Sequence, residues 1–180
     1  MGWTKEEVFF RIKKHDKSNL MIGIMSDSHD NVDAVKGAVR FFNSKACKLV
    51  IHAGDFVAPF AAKELGNLSC PVKAVFGNCD GEKKGLREVI QAFGEIKEAP
   101  FDFSFLEMKF LVTHVHTSVN KYTASGKYDV VIFGHTHEAI IRRKSGVLLI
   151  NPGETGGWLS GISSVAVFDP ASRDAEIVTL

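Results

Sequence analysis

Apolar residues along this chain fall into short runs that stop abruptly at polar residues, and the spacing within each run defines an element. Residues 21–25 form a strand-length apolar run, after which Val32, Val35, Val39 and Phe42 recur at helical spacing with Asp30 or Asn31 placed to cap the helix. Residues 49–53 read as the next strand. Residues 61–65 read as a short helix after Pro59, a favoured first-turn residue, and residues 72–76 as a third strand. A second helical pattern covers residues 86–93. This strand, loop, helix rhythm predicts a parallel sheet with right-handed crossovers, and open α/β sheets of that kind place their sites at the carboxyl ends of the strands.

Beyond residue 93 the period changes. Phe101, Phe103 and Phe105 alternate with Asp102 and Ser104, and Leu106, Met108 and Phe110 alternate with Glu107 and Lys109, as in a half-buried hairpin. Residues 130–133, 147–150, 165–168 and 177–180 supply further strands, with Gly146 and Asp169-Pro170 at turns. This number of strands in 180 residues implies an α/β domain of two sheets packed face to face with helices outside, spanning residues 21–180. Residues 1–20 read as an N-terminal helical extension: Thr4 and Glu7 have capping-box spacing, and Val8, Phe9 and Ile12 share a face that packs on the domain or on another subunit. No repeat, low-complexity segment or linker marks a second domain.

Composition narrows the function classes. A 45% hydrophobic content supports one continuous core, and a net charge of +1 leaves neither a broad basic field for nucleic acid nor an acidic tail, so a small-molecule partner is expected. No run approaches the roughly 20 apolar residues of a membrane span, and charges interrupt the N-terminal segment where a signal peptide needs an unbroken apolar stretch. The three cysteines, Cys47, Cys70 and Cys79, are an odd number without a Cys-x-x-Cys pair, which points to a reducing compartment, the cytoplasm.

The chemistry lies in five fragments, nearly all following an apolar run: Asp27-Ser28-His29, Gly54-Asp55, Gly77-Asn78-Cys79-Asp80, His114-Val115-His116 and Gly134-His135-Thr136-His137. Their carboxylates, imidazoles and amide suffice for two metal ions at one sheet edge. Asp27 and His29, and again His135 and His137, are spaced to point to one side of an extended segment. Asp55 is the candidate bridging carboxylate, since carboxylate and imidazole together suit Mn, Zn, Ni or Fe. The preceding glycines let the backbone turn sharply and approach an ion closely.

In this order the fragments resemble the calcineurin-like metallophosphoesterases, and residues 22–27 with Ile150-Asn151-Pro152-Gly153-Glu154 look like the small YfcE-like phosphodiesterases, archaeal members especially. The resemblance covers residues 21–180 and implies a four-layer αββα sandwich. It implies that Asp27, His29, Asp55 and His137 hold one divalent ion and Asp55, Asn78, His114 and His135 the other, with manganese foremost and nickel, zinc or iron as alternatives. It further implies hydrolysis of a small phosphate ester by metal-activated water, with Asn78 also touching the phosphate and Asp80 orienting a neighbour. The same fold also serves in a non-catalytic scaffold, the retromer subunit, and a homodimer or homotetramer is compatible with it.

Two positions depart from the family pattern. Cys79 stands where many members have a histidine that protonates the leaving group, a role open to His116 instead. Val115 stands where relatives have glycine, and its β-branch restricts the backbone between His114 and His116. Around these, His52 reads as a hydrogen-bonded core residue behind the ligands, His15 as solvated, and Cys79 as a neutral thiol. Lys83 and Lys84 read as a solvated surface or an attractor for phosphate, and Trp158 and Leu159 as an apolar wall or core packing.

Overall fold

The computed structural model describes residues 20–180, so the expected N-terminal helix lies outside the described residues. The first half alternates: β1 (Ile22–Met25), α1 (Val32–Ser44), β2 (Leu49–His52), α2 (Pro59–Ala62) running into a 3-10 turn at Lys63–Asn67, β3 (Val72–Val75), α3 (Lys83–Ile90) and β4 (Gly94–Lys97). The second half comprises β5 (Phe101–Phe105), β6 (Met108–Val112), α4 (Val119–Ala124), β7 (Val130–Ile132), β8 (Ala139–Lys144), β9 (Val147–Pro152), β10 (Ser164–Asp169) and β11 (Asp174–Thr179).

One sheet has the order β11-β10-β1-β2-β3-β4, the other β5-β6-β7-β9-β8. β1 to β4 are parallel, and so are β6, β7 and β9, whereas β10, β11, β5 and β8 join antiparallel. The central strands read as unbroken apolar runs because both their faces are covered. On one face Met25, Val50 and Ala74 pack with Val35 and Phe42 of α1 and Leu86 and Ile90 of α3. On the other, Ile24, Ile51 and Phe168 meet Phe110, Val112, Ile132 and Ile150 of the second sheet. Leu111, Val131 and Leu149 then pack beneath Val119 of α4. Three interlayer cores make the four-layer αββα sandwich, each large side chain among them contributing about 1.5–3 kcal/mol of burial.

Local chemistry sets the loops that carry the site. Asn31, rather than Asp30, caps α1: its Oδ1 accepts from the amide of Ala34 at 3.1 Å, while Asp30 accepts from the amide of Ala58 at 3.0 Å.

Several features differ from the expectation: the last strand starts at Asp174 rather than residue 177, and the short helix after β2 starts at Pro59 and gives way to a 3-10 turn after Ala62. The second helix stops at Ile90 rather than residue 93, and Gly94–Lys97 forms parallel strand β4. Leu106 is not a strand residue: Phe105 pairs with Met108, and Leu106 and Glu107 form a two-residue turn with φ of 50° and 63°. β8 escapes periodicity because it is a charged edge strand, its Arg142, Arg143 and Lys144 exposed and its backbone held by β9. Helix α4, six residues long, carries no clear apolar period.

Candidate metal centre

The strand ends of both sheets meet at one edge. Asp27 follows β1 by two residues, Asp55 and Asn78 follow β2 and β3 by three, and His114 and His135 follow β6 and β7 by two and three. Parallel strands therefore bring candidate ligands from five separate chain segments to one place, the strand ends at which the sequence pattern put them.

The local backbone differs from that prediction. Asp27 and His29 do not lie along an extended segment; both are left-handed, with φ of 53° and 40°, as are His135 and His137 at 73° and 61° and Asp55 at 61°. Left-handed backbone costs a non-glycine residue about 1–3 kcal/mol and concentrates at functional sites. Here cross-loop hydrogen bonds hold it in place: the amide of Asp27 donates to the carbonyl of Gly54 at 2.9 Å, and that of His29 to the carbonyl of Asp55 at 3.1 Å. Two glycines are required by contact. A Cβ on Gly77 would overlap Asp55 Oδ1, and one on Gly54, at φ 99°, would reach 2.8 Å from His114 Nδ1.

The donor atoms form two groups that meet at Asp55. His137 Nε2 lies 3.4 Å from Asp27 Oδ1 and 3.4 Å from His29 Nε2, and His29 Nε2 lies 3.8 Å from Asp55 Oδ2. On the other side, His114 Nε2 is 3.3 Å from Asp55 Oδ2 and 2.8 Å from Asn78 Oδ1, which is also 2.8 Å from His135 Nδ1. Donors about 2.0–2.2 Å from a shared ion and 90–110° apart stand roughly 3–3.5 Å from one another, a spacing that three of these six separations match, with the other three within about 0.3 Å of it. The His114 tautomer also fits, because Nδ1 lies 2.8 Å from the carbonyl of Ala53 and donates to it, leaving the Nε2 lone pair facing the other candidate donors.

Electrostatics agree with a cation site. Among the described residues, Asp27 and Asp55 are fully or almost fully buried and pair with histidines, not with Lys or Arg. Burial pushes the Asp27 carboxyl up, against the lowering effects of Ser26, His114 and His137. At Asp55 burial also opposes ionisation, but the His114 ring and the Cys79 amide hold its carboxyl well below the ordinary range. Burial lowers the proton affinity of His114, but Asp55 more than compensates and raises it, whereas burial and the neighbouring His114 and His116 lower that of His135. Two desolvated carboxylates ringed by imidazoles are costly unless a cation is shared among them.

The remaining expected residues sit around this core. Asp80 does not face the other donors; its buried carboxylate accepts from the amides of Val57 and Gly77, each at 2.7 Å, and of Asp55 at 3.2 Å, tying two ligand loops together. His52 is buried behind the site, its Nδ1 accepting from the Gly54 amide and its Nε2 donating to Ser28 Oγ, each at 3.1 Å, while its ring stacks on Phe56. Burial drives its pKa down to about 3, so it is neutral. His116 is exposed and stacks on His135, with ring centroids 5.7 Å apart. Cys79 lies close to His29 and Asp55, and burial together with Asp55 raises its thiol pKa to about 11. Val115 is extended, φ −77° and ψ 130°, a conformation a β-branched residue adopts freely, so it puts no strain on His114. Lys83 is engaged by Glu98 at 2.9 Å and Lys84 projects into solvent. Trp158 and Leu159 are exposed, not core, and Trp158 Nε1 donates to the carbonyl of His29 at 3.0 Å.

Two residues given no role from sequence also support the loops. Asn151 Nδ2 donates to the carbonyl of Gly134 and to Thr136 Oγ1. Glu154, buried behind His137, accepts from three backbone amides; burial opposes its ionisation, but the amides of Ser160 and Leu159 hold its pKa down to about 2. The Asn-Pro-Gly-Glu string marked both positions.

Comparison with known proteins bears on this arrangement. Residues 20–173 match the calcineurin-like phosphoesterase superfamily domain. The chain is 39% identical over 166 residues to phosphodiesterase MJ0936 of Methanocaldococcus jannaschii, covering 89% of this chain and 99% of that protein. It is 26% identical over 143 residues to phosphodiesterase YfcE of Escherichia coli, covering 71% and 75% respectively. The solved structure of an archaeal phosphodiesterase, 37% identical, superimposes with a TM-score of 0.86 over 89% of this chain and 100% of that one. Vps29 of Chaetomium thermophilum, 12% identical, shares the fold with a TM-score of 0.67 over 89% of this chain and 96% of its own. The chain belongs to the calcineurin-like phosphoesterase superfamily.

Proposed function

We propose that this protein is a phosphodiesterase with two divalent metal ions, hydrolysing a small phosphate ester. The observation that carries the reading is the meeting of two donor groups at Asp55 Oδ2, with His29 Nε2 at 3.8 Å on one side and His114 Nε2 at 3.3 Å on the other. Asp27, His29, Asp55 and His137 would hold one ion, and Asp55, Asn78, His114 and His135 the other. Two such ions, when bound, lower the pKa of water toward neutrality and offset charge on the phosphoryl oxygens.

The chain's own residues then do the rest. Asn78 presents its amide at the mouth of the site, where Nδ2 is 3.3 Å from Cys79 Sγ and Oδ1 stays with the two histidines. The exposed His116 beside His135 is the imidazole placed to give a proton to a departing alkoxide, since the neutral, high-pKa thiol of Cys79 is a poor donor. An aryl or similarly stabilised leaving group needs little of that help. Mixed carboxylate, amide and imidazole donors suit manganese, nickel, zinc and iron, and manganese is the first to try. The free thiols of Cys47, Cys70 and Cys79 fit a cytoplasmic setting, and among the described residues no helix is long and apolar enough to cross a membrane.

The test is hydrolysis of bis(p-nitrophenyl) phosphate and of p-nitrophenyl phosphate by chelator-stripped protein, with Mn, Ni, Zn or Mg restored. Metal-dependent turnover of the diester, absent in Asp55→Ala, is the expected result. Cleavage of the monoester alone would move the protein to the phosphatases, and cleavage of neither would favour the scaffold alternative.

A further inference from the structure

We propose that Glu154 is a positioning residue of the metal centre, one carboxylate that orients the His137 ring and anchors the Trp158 turn beside it. The inference rests on the dinuclear reading above. Glu154 is fully buried. Its Oε1 accepts from the amides of Trp158 at 2.9 Å and Leu159 at 3.0 Å, and its Oε2 from Leu159 at 3.1 Å and Ser160 at 2.7 Å. Oε1 also faces His137 Nδ1, 3.3 Å away.

That nitrogen is the informative one. Among the described residues, His137 Nδ1 is the buried side-chain polar atom with no hydrogen bond, the approach to Glu154 falling short of hydrogen-bond geometry. The opposite nitrogen, Nε2, faces Asp27 Oδ1 and His29 Nε2, each at 3.4 Å. A neutral imidazole that offers its lone pair at Nε2 must carry its proton on Nδ1, and an acceptor at Nδ1 selects that tautomer. His114 is served in the same way by the carbonyl of Ala53 at 2.8 Å. For His137 the group facing that nitrogen is a carboxylate, and a hydrogen bond to it would make the ring a stronger donor to a cation. A small tilt of the ring would bring the 3.3 Å contact into hydrogen-bond geometry.

The second arm reaches the rim. Trp158 is fixed at its amide by Glu154 and at its indole by the carbonyl of His29, 3.0 Å from Nε1. One carboxylate thus joins the backing of one candidate ligand to a turn that leans on another.

The test uses the full chain, stripped of metal and titrated with Mn by calorimetry. Wild type is expected to bind two ions. Glu154→Ala is expected to bind one of them 10- to 100-fold more weakly. In Zn-loaded, ¹⁵N-histidine-labelled wild type, His137 is expected to show a directly bonded proton at Nδ1. Fewer than two ions on wild type would overturn the dinuclear reading. Two ions on wild type with unchanged affinities in Glu154→Ala would overturn the positioning role alone. If Glu154→Ala does not fold, the wild-type tautomer decides, and a His137 without a proton on Nδ1 refutes the proposal.

Discussion

Replacing Asp80 removes a clasp rather than a ligand, and the structure sets the size of the effect. Its buried carboxylate accepts three backbone N–H groups, from Val57 and Gly77 at 2.7 Å and from Asp55 at 3.2 Å. A hydrogen bond to a charged acceptor contributes about 1.5–3 kcal/mol and a neutral one about 0.5–1.5 kcal/mol. Asparagine with its oxygen at the Oδ2 position keeps Asp55 and Gly77 at neutral strength but turns its amide nitrogen toward the Val57 N–H, donor against donor. The expected cost is about 3 kcal/mol for Asp80→Asn and about 5 kcal/mol for Asp80→Ala. Because Oδ2 joins the Asp55 loop to the Gly77-Asn78 loop, metal affinity should fall with stability. Urea denaturation of the metal-free proteins isolates the first effect from ligand stabilisation, and calorimetric titration with Mn measures the second. An Asp80→Ala protein within about 0.5 kcal/mol of wild type, binding metal as tightly, would refute the clasp.

Other perturbations follow from the same geometry. Gly77→Ala places a methyl against Asp55 Oδ1 and should abolish metal-dependent turnover while costing about 1–3 kcal/mol of stability, read by activity and urea titration. His52, held neutral at a pKa of about 3 against an ordinary 6.5, takes up a proton in the unfolded chain but not in the native one between those values. Its stabilising contribution is therefore complete above about pH 6.5 and declines as the pH falls toward 3, by roughly 1–2 kcal/mol per pH unit, and His52→Gln should flatten that slope in metal-free denaturation curves. Trp158→Ala should raise KM for an aryl diester several-fold with little change in kcat, if the exposed indole beside His29 forms an apolar rim; equal kinetics would remove it from the substrate's path.

The candidate ligands were legible because Asp27, Asp55, Asn78, His114 and His135 each follow a strand by two or three residues, where hydrophobic patterning ends and a polar side chain has no place in a core. The doubly covered strands β1, β2, β7 and β9 were legible for the same reason, as near-continuous apolar runs. What patterning missed lacks that contrast. β4 starts four residues after the last residue of a helix, and only the backbone ladder with β3 makes it a strand. β8 exposes Arg142, Arg143 and Lys144 and is held by β9. The left-handed turns at Asp27, His29 and His135 are held by loop-to-loop hydrogen bonds between segments distant in sequence, so period-2 spacing suggested an extended backbone there. Asp80 was expected near the chemistry, but its task as an acceptor for three amides became visible only when the loops around it were in place.

The central claim is that two ions share Asp55, and activity titrated against metal equivalents tests it most directly. Stripped protein at a concentration well above the metal dissociation constant is given Mn in fractional steps, and the initial rate of aryl diester hydrolysis is followed. The account predicts a rate that rises to a plateau at two equivalents per chain in wild type and stays at background throughout in Asp55→Ala. A plateau at one equivalent, turnover without metal, or an active Asp55→Ala protein would contradict it.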